Sequence, residues 1–151
     1  MNTHTVKRIS NAELAAVAEL EALCFSEPWS ASALKLLTTD DAVGFVCTDG
    51  NSVLAYGGML YAPFEGQITN VAVSPLARRQ GLGRAIVKAL IEHAIEKGFE
   101  QIALEVRASN AAAIALYESL GFAVAGRRKN FYRRPAEDAL VMLKPISKSL
   151  L

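Results

Sequence analysis

Residues 69–84 read Thr69-Asn70-Val71-Ala72-Val73-Ser74-Pro75-Leu76-Ala77-Arg78-Arg79-Gln80-Gly81-Leu82-Gly83-Arg84. The first five residues suit a strand, being mostly β-branched or apolar. A short loop follows, and from Gly81 onward apolar residues recur at helical spacing. Glycine lacks Cβ, so backbone amides at Gly81 and Gly83 can approach a ligand closely. The first amides of a helix have no internal partner, and the helix dipole there favours anions. Arg78, Arg79 and Arg84 add positive charge beside the same spot. Strand, glycine loop and helix start in this order predict a pyrophosphate site; the plainer alternative is a tight strand–helix connection with solvated arginines. Two commoner nucleotide motifs recede. The third glycine of a dinucleotide fingerprint would fall on Ile86, and Arg84-Ala85 stands where a P-loop needs Lys-Ser/Thr.

Working outward from this stretch, the pattern predicts further elements. Met1 to Thr5 reads as a ragged start, and residues 6–9 alternate as a short strand. Ser10 or Asn11 caps a helix running to Leu23, with Leu14, Val17, Ala18 and Glu21 at helical spacing. Ser30 caps a second short helix through Leu37. Strands follow at 43–48, 52–61 and 67–73, with turns at Asp49-Gly50-Asn51 and at 63–66. The helix 81–98 carries an apolar stripe of Val87, Leu90, Ile91, Ala94 and Ile95, closed by Gly98. A strand at 101–106, a helix at 110–120 ending at Gly121, and strands at 122–132 and 138–143 complete the chain, leaving a frayed tail after Pro145. The order β-α-α-β-β-β-α-β-α-β-β is an α/β three-layer arrangement: a mixed, mostly antiparallel sheet of about seven strands with four helices.

Composition narrows the function classes. A chain of 151 residues with 52% hydrophobic and 21% charged residues suits one globular domain spanning 1–151. A net charge of +1 gives no reason to expect a nucleic-acid or membrane partner. The two cysteines, Cys24 and Cys47, form no CxxC pair, and the two histidines are isolated, so buried reduced thiols and no metal site are expected. Without an apolar leader or a long apolar run, the expected location is the cytoplasm.

A resemblance now becomes specific. Arg78-x-x-Gly81-x-Gly83 resembles the R/Q-x-x-G-x-G/A signature of the GCN5-related N-acetyltransferases (GNAT family), and the element order is similar to that fold across nearly the whole chain. Asn110-x-x-Ala113-x-x-Leu116-Tyr117-x-x-x-Gly121-Phe122 is similar to a second motif general to the family. Glu105-Val106-Arg107-x-x-Asn110, the Cys24-Phe25-Ser26-Glu27-Pro28-Trp29 loop and Arg127-Arg128-x-Asn130-Phe131-Tyr132 with Glu137-Asp138-Ala139 resemble its RimI-like branch. That branch acetylates the N-terminal alanine of small-subunit ribosomal protein 18. Two departures fall near the expected peptide groove: Phe131 replaces a frequent tyrosine, and Arg133-Arg134 adds charge.

The resemblance implies acetyl-CoA as co-substrate, with its pyrophosphate on the amides of Arg78, Arg79, Gln80, Gly81, Leu82, Gly83 and Arg84. The pantetheine arm would lie along Val71, Ala72 and Val73, and an amide at or beside Val71 would face the oxyanion. It further implies Glu105 as general base and Tyr117 as the acid that protonates the thiolate. Asn110 is a cofactor contact or simply a helix cap. Phe25, Trp29 and Tyr132, with Phe131 beside them, are candidates to line a groove for the peptide; core packing is the equal alternative for Phe25 and Phe131, and Trp29, after Pro28 in a loop, is the better candidate. The expected partner is a protein N-terminus, that of a ribosomal protein first, with the enzyme a monomer or weak dimer. An α-amine has a pKa near ~7.7–8.0 against ~10.4 for lysine, so a lone carboxylate base favours the N-terminal amine. The competing readings are a GNAT acting on a small amine or internal lysine, and a non-catalytic acyl-CoA-binding module.

Overall fold

The computed structural model describes residues 4–146 apart from Asn51. Its strands are β1 (Thr5–Arg8), β2 (Ala42–Asp49), β3 (Ser52–Ala62), β4 (Glu65–Val73), β5 (Gln101–Arg107), β6 (Ala123–Arg133) and β7 (Ala136–Pro145). Its helices are α1 (Leu14–Cys24), α2 (Ala31–Leu34), α3 (Leu82–Lys97) and α4 (Ala111–Ser119). One seven-stranded sheet has the order β1-β2-β3-β4-β5-β7-β6. All its neighbours pair antiparallel except β4 and β5, which are parallel and joined through α3. The predicted α/β sheet and its four helices are present.

Local chemistry explains the element ends. Ser10 is the cap that precedes α1, and the Glu13 carboxylate reaches back to accept the Ser10 amide at 2.8 Å, forming a capping box. Ser30 starts α2 by accepting the Ala33 amide at 3.1 Å. Gly98 ends α3 in the left-handed region at φ 78.

Helices cover the sheet on both faces. Along β2, Val43 and Cys47 join the cluster beneath α3, while Ala42 and Val46 join the cluster beneath α1 and α2. Alternation of side chains across a strand requires this split. Leu82, Ile86, Val87, Leu90 and Ala94 of α3 pack with Ile102, Leu104 and Met142, and Tyr117 of α4 joins them.

Several expectations are corrected. Ile95 is 54% exposed, so the buried stripe of α3 is narrower than predicted. β4 begins at Glu65, and the turn before it is the tighter Pro63-Phe64, with Phe64 at φ 65. Thr5 already belongs to β1, and Ile146, past the last strand, is buried and donates its amide to Glu100 O at 2.8 Å. Cys47 is buried as expected, but Cys24 is only partly so. Residues 1–3, Asn51 of the first hairpin turn and the tail 147–151 lie outside the described residues.

The sheet opens where the chemistry was predicted. In the β3–β4 ladder Gly57 pairs with Val71 and Met59 with Ile68, so Gly58 faces two residues, Thr69 and Asn70. This is a β-bulge, which bends and twists its strand. A Cβ on Gly58 would lie 2.8 Å from both Leu37 Cδ2 and Thr69 Oγ1, which is why glycine occupies the bulge. On the other side, β4 pairs with β5 only from Glu65↔Gln101 to Ile68↔Leu104. Beyond that point the two strands part, leaving the β4 edge at Val71 to Val73 without a strand partner on that side.

Candidate active site

The gap between β4 and β5 widens into a cavity of about 690 Å³. Of the predicted site residues, Phe25, Trp29, Val71, Glu105, Asn110, Tyr117 and Tyr132 all line it. They come from the α1–α2 loop, the β4 bulge, the end of β5, α4 and the β6–β7 hairpin.

Glu105 lies on β5, where alternation buries Leu104 and Val106 and turns Glu105 toward the gap. Its side chain is 34% exposed, and Arg128 Nε stands 3.3 Å from its Oε2. Tyr117 approaches from α4. It is buried, and its ring meets Phe122 edge-on at 5.5 Å between centroids. Burial pushes its phenol well above the ordinary range, so it remains protonated. Asn110 caps α4, its Oδ1 accepting the Ala113 amide at 3.1 Å. The capping role is therefore observed, with the residue still on the cavity wall.

The glycine loop stands beyond the end of this cavity and does not line it, and neither do Ala72 and Val73. Ala72 is buried under α1. A Cβ on Gly83 would stand 3.6 Å from Val73 Cγ2 and 3.5 Å from Leu116 Cδ2, which places the start of α3 against the open end of β4 and against α4. Gly81 caps α3 at φ 76, with nothing within 4 Å of the place a Cβ would take. A left-handed backbone with free space above it fits a cradle for an anion.

The side chains of the loop are less uniform than their charge suggested. Leu82 is buried, so only its backbone can serve a ligand. Arg84 is drawn away to Ser119 Oγ at 2.9 Å. Arg78 folds back on the strand, donating to Val73 O at 3.2 Å, with Nη2 3.9 Å from Cys24 Sγ. Arg79 and Gln80 are exposed, Arg79 at φ 65.

The wall opposite the loop is held by a residue that sequence reasoning quoted but did not use. Arg107 donates through Nη1 to Pro135 O at 3.0 Å and to Glu137 Oε1 at 3.2 Å. Nη2 donates to Arg134 O at 3.1 Å and to Ser26 Oγ at 3.5 Å, and the guanidinium lies 4.2 Å from the Tyr132 ring centroid. Ser26 itself donates to Arg134 O. One side chain thus ties β5 to both the α1–α2 loop and the β6–β7 hairpin. Its signal was present, because alternation from Glu105 puts Arg107 on the same face. Hydrogen bonds from Ser109, with help from Arg107, hold the Glu137 carboxyl below its usual range. Phe131, weighed as a core residue, is 44% exposed and stacks edge-on against Tyr132 at 5.0 Å.

Glu21 and Asn70 were also missed. Glu21 is a wholly buried carboxylate on α1, and Asn70, in the β4 bulge, donates to it from the cavity wall. A charge at an apolar position of the Leu14-Val17-Glu21 stripe was the available clue.

Such a cavity suits group transfer to a nucleophile that arrives protonated: one wall can take a proton, another can give one, and a helix start nearby can hold an anion. Known proteins narrow the class. The profile of the acetyltransferase (GNAT) family matches residues 14–122. The chain is 38% identical over 146 residues to the [ribosomal protein bS18]-alanine N-acetyltransferase of Escherichia coli K12, covering 95% of this chain and 99% of that protein. It is 32% identical to the N-alpha-acetyltransferase RimI of Mycobacterium tuberculosis, covering 91% and 90%. The crystal structure of the Escherichia coli ribosomal-protein-S18-alanine N-acetyltransferase superposes with a TM-score of 0.90 at 37% identity, over 98% of this chain and 97% of that one. One chain in the crystal structure of the NatC complex bound to Gag peptide and CoA shares the fold at 22% identity, with a TM-score of 0.84 over 97% of this chain and 100% of that one. The chain belongs to the acetyltransferase (GNAT) family and is an acetyl-CoA-dependent N-acetyltransferase of the RimI type.

Proposed function

We propose that this enzyme acetylates the N-terminal α-amine of a protein, with the N-terminal alanine of ribosomal protein bS18 as the first candidate. The observation that carries the reading is 38% identity across 95% of the chain to an enzyme named for that substrate, with Glu105 and Tyr117 on one cavity. Acetyl-CoA supplies the acetyl group as a thioester. The β4 edge at Val71 to Val73, which has no strand partner on the β5 side, and the left-handed Gly81 at the start of α3 fit its pantetheine arm and pyrophosphate.

The chain's residues then divide the work. Glu105 takes the proton that the ammonium must lose before it can attack. An α-amine of pKa near ~7.7–8.0 demands little of a carboxylate base. The Val71 amide donates to the oxygen on which negative charge develops. Tyr117 gives its proton to the departing sulfur, and burial ensures that the proton is present when needed. Phe25, Trp29 and Tyr132 hold the first residues of the peptide, and Arg107 keeps the Tyr132 wall in place.

Incubation with acetyl-CoA and a peptide beginning Ala-Arg-Tyr tests the reading by mass spectrometry. Acetylation confined to the α-amine is expected. Transfer to polyamines, aminoglycosides or lysine side chains with none to the peptide N-terminus would overturn it, and cofactor binding without turnover on any amine would favour a non-catalytic module.

A further inference from the structure

Glu21 is wholly buried and has no part in the proton transfers assigned above. Its Oε1 accepts a short hydrogen bond from the Tyr56 phenol. Its Oε2 accepts from Asn70 Nδ2 at 2.7 Å and from the Trp29 backbone amide at 3.0 Å. Among the described residues no lysine or arginine is paired with it. Burying a carboxylate is costly unless donors replace the lost water. An apolar side chain would fill the same place on α1 without that cost, as Leu14, Val17 and Leu20 do along the same helix.

The three donors belong to three separate segments. Tyr56 sits on β3 opposite Ala72, Asn70 sits in the β4 bulge one residue before Val71, and Trp29 sits in the α1–α2 loop. Asn70 and Trp29 both line the cavity, whereas Glu21 does not. Burial, reinforced by the Glu21 charge, keeps the Tyr56 phenol protonated and therefore a donor.

We propose that Glu21 is a positioning residue: from outside the cavity it fixes the Trp29 wall of the amine groove against Asn70 at the β4 bulge, and so sets where the entering amine stands relative to Val71. The inference rests on the acetyltransferase reading of the same cavity. Without the carboxylate, the Trp29 amide and the Asn70 amide lose their common acceptor, and the loop is free to shift against β4.

Glu21→Gln is the test. The amide has nearly the same size but only one acceptor oxygen, and its NH2 confronts another donor. The expected result is a rise of about tenfold in KM for the peptide, with KM for acetyl-CoA within about twofold of wild type, the size following from one charged hydrogen bond lost. Trp29 is the only tryptophan of the chain, so its emission should shift to the red in the same variant. Val17→Ala, on the same buried helix face, serves as control and should lower Tm without moving either readout. If Glu21→Gln lowers Tm yet leaves peptide KM and Trp29 emission unchanged, or if Val17→Ala raises peptide KM equally, the proposal is overturned. Should Glu21→Gln not fold, Tyr56→Phe removes one donor and is expected to raise peptide KM severalfold; an unchanged KM there overturns the proposal. Trp29 emission needs no turnover. If the wild type acetylates no N-terminal peptide, the functional reading fails while emission still decides the role of Glu21.

Discussion

The two ends of the cavity are built by different means. The end near α3 is made of backbone: the β4 edge left free of β5 after Ile68 and, just beyond the cavity, a left-handed Gly81 and the first amides of a helix. The opposite end is made of side chains. Trp29, Arg107 and Tyr132 line it from segments as distant as the α1–α2 loop and the last hairpin, and the Arg107 guanidinium joins that loop to that hairpin. Backbone chemistry is the same whatever the residue, which suits a donor whose phosphates and amides never change. Side-chain chemistry can vary from protein to protein, which suits the choice of an amine.

Substitutions separate the two ends, and the largest effect should come from the reacting centre between them. Glu105→Gln is expected to lower kcat by about 10²-fold or more, within the range of a lost general base, with acetyl-CoA KM little changed. Steady-state kinetics would show it, and a kcat near wild type would remove Glu105 from the reaction. Arg107→Ala should act at the side-chain end alone, raising peptide KM by about tenfold through the loss of several charged hydrogen bonds and the Tyr132 stack. Arg107→Lys keeps the charge but not the fork, so it should recover only part of the affinity. An equal rise in acetyl-CoA KM would mean that the two ends are not separable in this way.

Gly81→Ala addresses the backbone end. An L-residue at φ 76 costs about 1–2 kcal/mol, so Tm should fall by about 2–8 °C in scanning calorimetry. Acetyl-CoA KM should rise severalfold while peptide KM holds. The smallest effect concerns pH. Glu137 and Asp138 titrate below their usual ranges, Glu137 through hydrogen bonds from Ser109 and Asp138 through the Asn130 amide and Arg127. A depressed folded pKa contributes stability above the unfolded pKa and loses it as pH falls through the folded one. The β6–β7 hairpin should therefore loosen slightly below about pH 4, as these carboxylates protonate, with Trp29 emission as the reporter. Glu137→Gln should remove the Glu137 share of that dependence and leave the Asp138 share.

The difference between the ends also explains what could be read in advance. The Gly81 loop and the strand before it are contiguous, and their function follows from φ, missing Cβ atoms and helix polarity, so residues 69–84 suffice to predict an anion site. The element order followed from periodicity, because helices on both faces of a sheet impose it. Glu105 and Tyr117 were legible through short motifs tied to strand and helix ends. The side chain of Arg84 has a tertiary partner that the sequence did not reveal, since Ser119 across the α3–α4 contact accepts from its guanidinium. Leu82 faces the core because the first turn of α3 packs beneath the loop.

By itself, then, the sequence determined the architecture, and it predicted an anion-binding turn at Gly81 and a carboxylate and a phenol for proton transfer. These depend on interactions within a few residues or on periods of two and 3.6. Only the tertiary structure decided that β4 parts from β5 after Ile68, that Arg107 ties two distant loops, and that Glu21 gathers Tyr56, Asn70 and Trp29. Of these contacts, Glu21–Tyr56, Glu21–Asn70 and Arg107–Ser26 join residues 35, 49 and 81 positions apart, and no local preference encodes which distant donor will meet a given carboxylate.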